Sequence, residues 1–203
     1  MKLVIGTFLT LDGVMQAPGG PEEDKSEAFP HGGWAFPHFD DVAGKVMDDW
    51  IGRADALLLG RKTYEIFAAH WPRVPDTEPI AARFNRIPKY VASRTLERLN
   101  WQPATLLEGN VVEEVKRLKA RPGGELQVHG SGDLIQTLLE HHLIDQFRIW
   151  HFPLLLGTGK RLFGRGTLPT GLKLVETLTT GTGAVLSVLE PAGKVTYGSF
   201  ALE

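Results

Sequence analysis

The segment Glu125–Leu143, ELQVHGSGDLIQTLLEHHL, places the tightest condition on the fold. A short run through Leu126 and Val128 reads as a strand. It turns at Gly130, Ser131 and Gly132. Leu134, Ile135, Leu138, Leu139 and Leu143 then fall on one helical stripe. A helix start leaves backbone N–H groups unpaired at the positive end of the dipole. Two glycines let a phosphate approach that backbone without meeting a Cβ. The same residues also describe a tight turn capped by Ser131 or Asp133, with no ligand. Ile135 stands where a dinucleotide fingerprint has its third glycine, and Asp133 would repel a nearby phosphate. The rest of the chain has to decide between the two readings.

Strand-like and helix-like runs alternate through the first three quarters. Expected strands are Lys2–Leu9, Asp55–Leu59, Lys89–Ala92, Thr105–Leu107 and the run at Leu126. Expected helices are Asp40–Ile51, Arg61–Ala69, Glu78–Arg86 and Val111–Ala120, besides the one after Gly132. Residues 15–40 form a long loop rich in Gly and Pro, with Trp34, Phe36 and Phe39 set into it; such loops often cover a site. The last quarter has a long strand over Ile144–Leu156, interrupted by Pro153. Three further strands follow, Leu172–Leu178, Ala184–Leu189 and Val195–Phe200, separated by glycine turns. Alternation argues for a mostly parallel sheet with helices on both faces, and the closing strands should join antiparallel. The expected fold is therefore a three-layer α/β/α arrangement, and residues 1–203 are expected to form a single domain.

Composition narrows the chemistry. A net charge of −2 gives no general attraction to nucleic acid or to an anionic membrane. The chain has no cysteine, which excludes disulfides, thiolate metal sites and cysteine nucleophiles. No apolar run approaches the roughly 20 residues of a membrane span, and the N-terminus does not read as a signal peptide. A cytoplasmic protein is expected. Of the seven histidines, His141 and His142 are adjacent on a helix and cannot share a face. His31 and His38 lie in a loop, so no metal site is expected. His129, beside the glycine turn, reads as a structural or lining residue rather than a base. GTGK at 157–160 fails the P-loop pattern, since Leu154 replaces the first glycine and Arg161 follows Lys160.

Ligands of open parallel sheets collect at the carboxyl ends of the strands. Four stretches lie there: Thr10–Gly13, Gly60–Thr63, Ser93–Thr95 and Gly130–Leu134. Arg61 and Lys62 follow one strand, and Arg94 follows another. A cation in the first turn of a helix opposes the dipole, and a bound anion would relieve that conflict.

At these residues the chain resembles a known family. LLLGRKTYE at 57–65, PKYVASRTL at 88–96 and LQVHGSGDLIQTLLE at 126–140 resemble dihydrofolate reductase and its relatives. With TLDG at 10–13 and PLLLGTGKRLF at 153–163, the chain is still more similar to the reductase domain of the bifunctional riboflavin-biosynthesis deaminase/reductase. The resemblance implies a dihydrofolate reductase-like fold that binds NADPH. It would place Gly60, Arg61 and Thr63 near the cofactor phosphates and Ser93 and Arg94 at the adenosine 2′-phosphate. Gly130, Ser131, Gly132, Asp133 and Leu134 would lie around the pyrophosphate. The substrate would be a flat heterocycle, pteridine-like or a ribosylaminopyrimidine. Asp12 is the expected substrate-side acid. Asp41, with Asp40 beside it, is the nearest match to the carboxylate on the first helix of dihydrofolate reductases; Asp48 and Asp49 are its rivals. Trp34 and Phe36 are the candidates for stacking on the ring. By analogy with riboflavin-type relatives the protein is expected to be a homodimer. The alternative is a nucleotide-binding regulatory or interaction module on the same fold, without turnover.

Overall fold

The computed structural model describes residues 1–164 and 167–201. The chain runs β1 (Lys2–Thr10), α1 (Asp41–Gly52), β2 (Ala54–Gly60), α2 (Arg61–His70), α3 (Pro79–Arg86), β3 (Lys89–Ala92), β4 (Ala104–Leu107) and α4 (Val111–Ala120). It continues through β5 (Glu125–Val128), α5 (Gly132–Glu140), β6 (Gln146–Phe152), β7 (Leu172–Thr179) and β8 (Val185–Pro191). The strands form one sheet in the order β4-β3-β2-β5-β1-β6-β8-β7. The first six are mutually parallel, β8 is antiparallel to β6, and β7 is antiparallel to β8.

The period-two alternation of the strands divides the core into two layers. Leu3, Ile5, Leu58, Leu126 and Val128 face one side, where they pack with Val115 and Leu118 of α4 and Ile135 and Leu138 of α5. Leu57 and Leu59 face the other side, with Met47 and Trp50 of α1, Tyr64 of α2 and Phe84 of α3. Complete burial of an aliphatic side chain stabilises by about 1.5–3 kcal/mol, so each layer supports the sheet independently. Helix starts differ in how they are closed. Asp40 caps α1 by accepting from Ala43 N at 3.0 Å, and Asn110 caps α4 by accepting from Val112 N at 2.9 Å. The N-caps of α2 and α5, Gly60 and Ser131, make no side-chain capping bond.

Two expectations about the C-terminal part need correction. The strand expected over Ile144–Leu156 begins at Gln146 and ends at Phe152, immediately before Pro153, which has no N–H to give a neighbour. The strand expected over Val195–Phe200 does not form. These residues are irregular, and Tyr197 and Phe200 are fully exposed. Their apolar alternation mimics a strand, but β7 already closes this end of the sheet, and no layer lies beneath them to bury one face. The basic glycine stretch after β6 is irregular through Gly164, apart from a bridge between Val14 and Arg161, and its Arg165 and Gly166 lie outside the described residues.

Candidate active site

The carboxyl ends of β3, β2 and β5 are adjacent, because β2 pairs with both neighbours and Gly60 is opposite Ala92. The segments beginning at Arg61, Ser93 and His129 therefore leave the sheet side by side. The starts of α2 and α5 touch. Thr63 Oγ1 lies 3.1 Å from Ser131 Oγ, and Thr63 N donates to that oxygen at 3.4 Å. Ser131 thus bonds to the neighbouring helix rather than capping its own. A Cβ on Gly60 would collide with Ser131 Oγ, and one on Gly130 would come within 2.6 Å of Thr63 Oγ1. Gly130 also has φ +149°, a conformation that glycine adopts without penalty. The glycines thus serve the close approach of two helix starts: Ser131 Oγ takes the Thr63 N–H of α2, while the start of α5 has no side-chain cap of its own.

Beside this junction a cleft of about 1520 Å³ opens between the sheet, α1, α2 and the 15–40 loop. Thr63, Gly130, Ser131, Gly132, Asp133 and Phe36 line it. Lys62, Phe39 and His129 line it too, and the remaining candidates lie elsewhere. Arg61 turns along its own helix to Glu65, 3.2 Å away. Ser93 Oγ accepts from Thr95 N and Leu96 N, and Arg94 is exposed beside it. Leu134 is buried in the α4/α5 layer. Trp34 is buried edge-on against Phe152 and donates Nε1–H to Gln16 O at 2.7 Å. Asp41, Asp48 and Asp49 are exposed on α1, which turns Met47, Trp50 and Ile51 to the cleft.

Asp12 binds protein. It accepts from Thr10 Oγ1 at 2.5 Å, Gly157 N at 2.8 Å and Leu156 N at 3.3 Å, with Arg161 at 3.4 Å. The Thr10 hydroxyl, aided by those backbone N–H groups against a small desolvation penalty, holds its carboxyl below the ordinary range. Asp12 thereby ties the 154–161 loop to the end of β1. A second tie runs from the same loop to the cover: Lys160 donates to Asp24 at 2.6 Å and to Ser26.

Of the deep wall of the cleft, the sequence reading singled out only His129, as a structural or lining residue. Its polar groups are Gln127 and His129 on the β5 segment and Arg148 on β6, all on the sheet face opposite the aliphatic layer. Arg148, with its side chain 5% exposed, makes a two-pronged pair with Glu125 at 2.6 and 2.9 Å. Gln127 donates to Trp50 O at 2.6 Å and to Glu125 Oε2 at 2.7 Å. Its carbonyl oxygen lies 3.2 Å from His129 Nε2. Burial, reinforced by the Arg148 charge, pushes the His129 imidazole down to about 4, so it is neutral at physiological pH. Aromatic rings complete the wall: His129 packs against Phe84 and Phe67, and Trp50 against Trp150. The indole N–H groups of Trp71 and Trp150, both cleft residues, have no partner among the described residues. One signal could have exposed this wall: an arginine inside QFRIWHF, and Glu and Gln two apart on β5, in strands otherwise apolar enough for burial on both faces.

A mixed sheet whose parallel strands bring two helix starts together beside an aromatic cleft is a dihydrofolate reductase-like fold, as the comparisons with solved structures show. The sequence profile of the family "RibD C-terminal domain" matches residues 1–186, and the chain belongs to that family. It is 31% identical over 187 residues to the uncharacterized protein YyaP of Bacillus subtilis, covering 91% of this chain and 92% of that one. It superposes on the diaminohydroxyphosphoribosylaminopyrimidine deaminase/5-amino-6-(5-phosphoribosylamino)uracil reductase of Thermotoga maritima with a TM-score of 0.63 and 14% identity. That match spans 94% of this chain and 56% of the longer one. A dihydrofolate reductase from Enterococcus faecalis, complexed with NADP(H), gives a TM-score of 0.58 at 12% identity, over 94% of this chain and 96% of that one. At these identities the structural likenesses establish the fold. Membership of that family supports an oxidoreductase activity.

Proposed function

We propose that the protein is an NADPH-dependent reductase of a flat heterocyclic substrate, of the pyrimidine or pteridine kind. The observation that carries this reading is the contact of Thr63 with Ser131, which joins two helix starts, that of α5 without a side-chain cap, at the rim of an aromatic cleft. The residues fit the cofactor. Its pyrophosphate would lie against the first-turn N–H groups of α5 and α2, with Gly132 open to it: a Cβ there would meet only Met15 Sδ, at 3.5 Å. Arg94 would take the 2′-phosphate, one strand end away. The nicotinamide, when bound, supplies the hydride. The chain's own part is to hold the two rings face to face between aromatic walls and to exclude water beneath the tied 15–40 cover. Quenching of tryptophan fluorescence by NADPH, followed by loss of NADPH absorbance on adding a pteridine or aminopyrimidine, tests the reading. Wild-type protein that leaves NADPH unbound overturns it.

A second reading has one observation in its favour. Helix α1 turns Met47, Trp50 and Ile51, but no carboxylate, toward the cleft. A nucleotide-binding module without turnover would need no proton donor there. NADPH binding without oxidation across a panel of heterocycles would favour it. For assembly we infer a homodimer, in which the outer edge of β7, with Leu172, Leu174 and Val175 exposed, meets a second copy; sedimentation velocity reads this directly.

A further inference from the structure

We propose that His129 selects the substrate: its Nδ1 accepts a hydrogen bond from an N–H or O–H on the edge of the ring seated over Gly6. Ligands with a donor at that edge bind, and ligands without one are discriminated against. The proposal rests on the reductase reading only in taking the cleft as the substrate site.

Both Glu125 oxygens accept from the Arg148 guanidinium, so neither has a hydrogen to give. Trp50 O can only accept as well. The Gln127 atom facing both, at 2.7 and 2.6 Å, must therefore be the amide nitrogen, which spends both hydrogens there. The remaining Gln127 atom is the carbonyl oxygen, and it lies 3.2 Å from His129 Nε2. A bond between them requires the hydrogen on Nε2. The ring is neutral, so it carries one N–H, and Nδ1 keeps a bare lone pair. The tautomer of His129 is thus set by Arg148, two strands away, through Glu125 and Gln127.

Nδ1 has no hydrogen-bond partner among the described residues, and the ring stands over a gap. Gly6, on the strand between β5 and β6, is opposite Arg148 and has no side chain; a Cβ there would sit 3.4 Å from His129 Nδ1 and Cε1. Glycine thus leaves a shelf between two large side chains, within a wall that includes Trp50, Phe67 and Trp150. A flat ring fits such a shelf. An acceptor brought to Nδ1 would face a lone pair with no hydrogen between them, whereas a donor would satisfy it.

The test uses lumazine, which carries ring N–H donors, and 1,3-dimethyllumazine, which carries none, titrated without cofactor by tryptophan quenching. Wild-type protein should bind lumazine about tenfold more tightly, the scale of one partly buried hydrogen bond. His129→Leu should reduce that ratio to about one without changing the affinity for the dimethyl compound, and His129→Asn should keep part of the preference. Long-range nitrogen–proton spectra of the wild type should show Nε2 protonated and Nδ1 bare, with the Nδ1 resonance moving on addition of lumazine. A ratio that survives in His129→Leu would reflect methyl bulk and overturns the proposal. So does a hydrogen on Nδ1, or failure of the wild type to bind lumazine. NADPH titration of the same wild-type protein reads the reductase assignment separately. Its failure removes that assignment and leaves the lumazine and tautomer results to decide on His129.

Discussion

The two faces of the central strands carry opposite chemistry. Toward α4 and α5, Leu3, Ile5, Leu126, Val128, Ile135 and Leu138 are fully buried with no polar side chain among them. Toward α1–α3, the same strands present Gly6, Gln127, His129 and Arg148 to a cleft. One face is closed by packing, and the other is held open by a glycine and organised by hydrogen bonds. Strand alternation lets adjacent residues serve both ends, Leu126 for stability and Gln127 for orientation. The contrast teaches that a site can be cut into one side of a sheet without weakening it, provided the other side is filled.

Several substitutions would break or sharpen that contrast. The largest effect is expected for Glu125→Ala, which leaves Arg148 buried and unpaired. It should cost about 3–5 kcal/mol in urea unfolding, and it should also randomise the His129 tautomer seen by nitrogen NMR. Leu138→Ala, on the closed face, should cost about 2–5 kcal/mol through a cavity, yet leave NADPH and lumazine affinities of the folded protein unchanged. Altered ligand affinity in that variant would show that the two faces are coupled. At the rim, Arg94→Ala should weaken NADPH binding roughly ten- to hundredfold and leave NADH nearly unaffected, the worth of one charge-assisted bond. Equal losses for both cofactors would remove Arg94 from the 2′-phosphate.

The last expected effect is a pH dependence. His129 titrates at about 4 in the folded protein against an ordinary 6.5. Between those values the unfolded chain binds more protons, so His129 should make stability fall as pH drops from 6.5 toward 4. Above 6.5 its contribution is constant. Chemical denaturation of wild type and His129→Leu at pH 4.5 and 7.5 checks the sign: the variant should lose less stability on acidification.

Much of this architecture is legible along the chain. The helical stripe after Gly132 and the apolar runs at 55–59 and 126–128 each needed only local periodicity to be read. The same method failed at Val195–Phe200, whose alternation resembles a strand but has no layer to bury it. The family resemblance assigned the Gly60 and Gly130 turns to one cofactor, whereas the direct contact of Thr63 with Ser131 that joins them is a feature of the fold. Asp12 looked like a substrate-facing acid because it ends β1. Its carboxylate instead accepts from Leu156 and Gly157, about 145 residues downstream, a partnership with no local trace.

Side chains along the chain are enough to show where most strands and helices alternate, the absence of thiol chemistry, and the glycines that permit close approach at the strand ends. These follow from side-chain type and spacing within a few residues. Which polar residues act together emerges on folding, because Glu125, Gln127, His129 and Arg148 come from two strand segments separated by a third. A hydrogen's position on one imidazole is fixed there by an arginine whose charge must be neutralised once water is excluded.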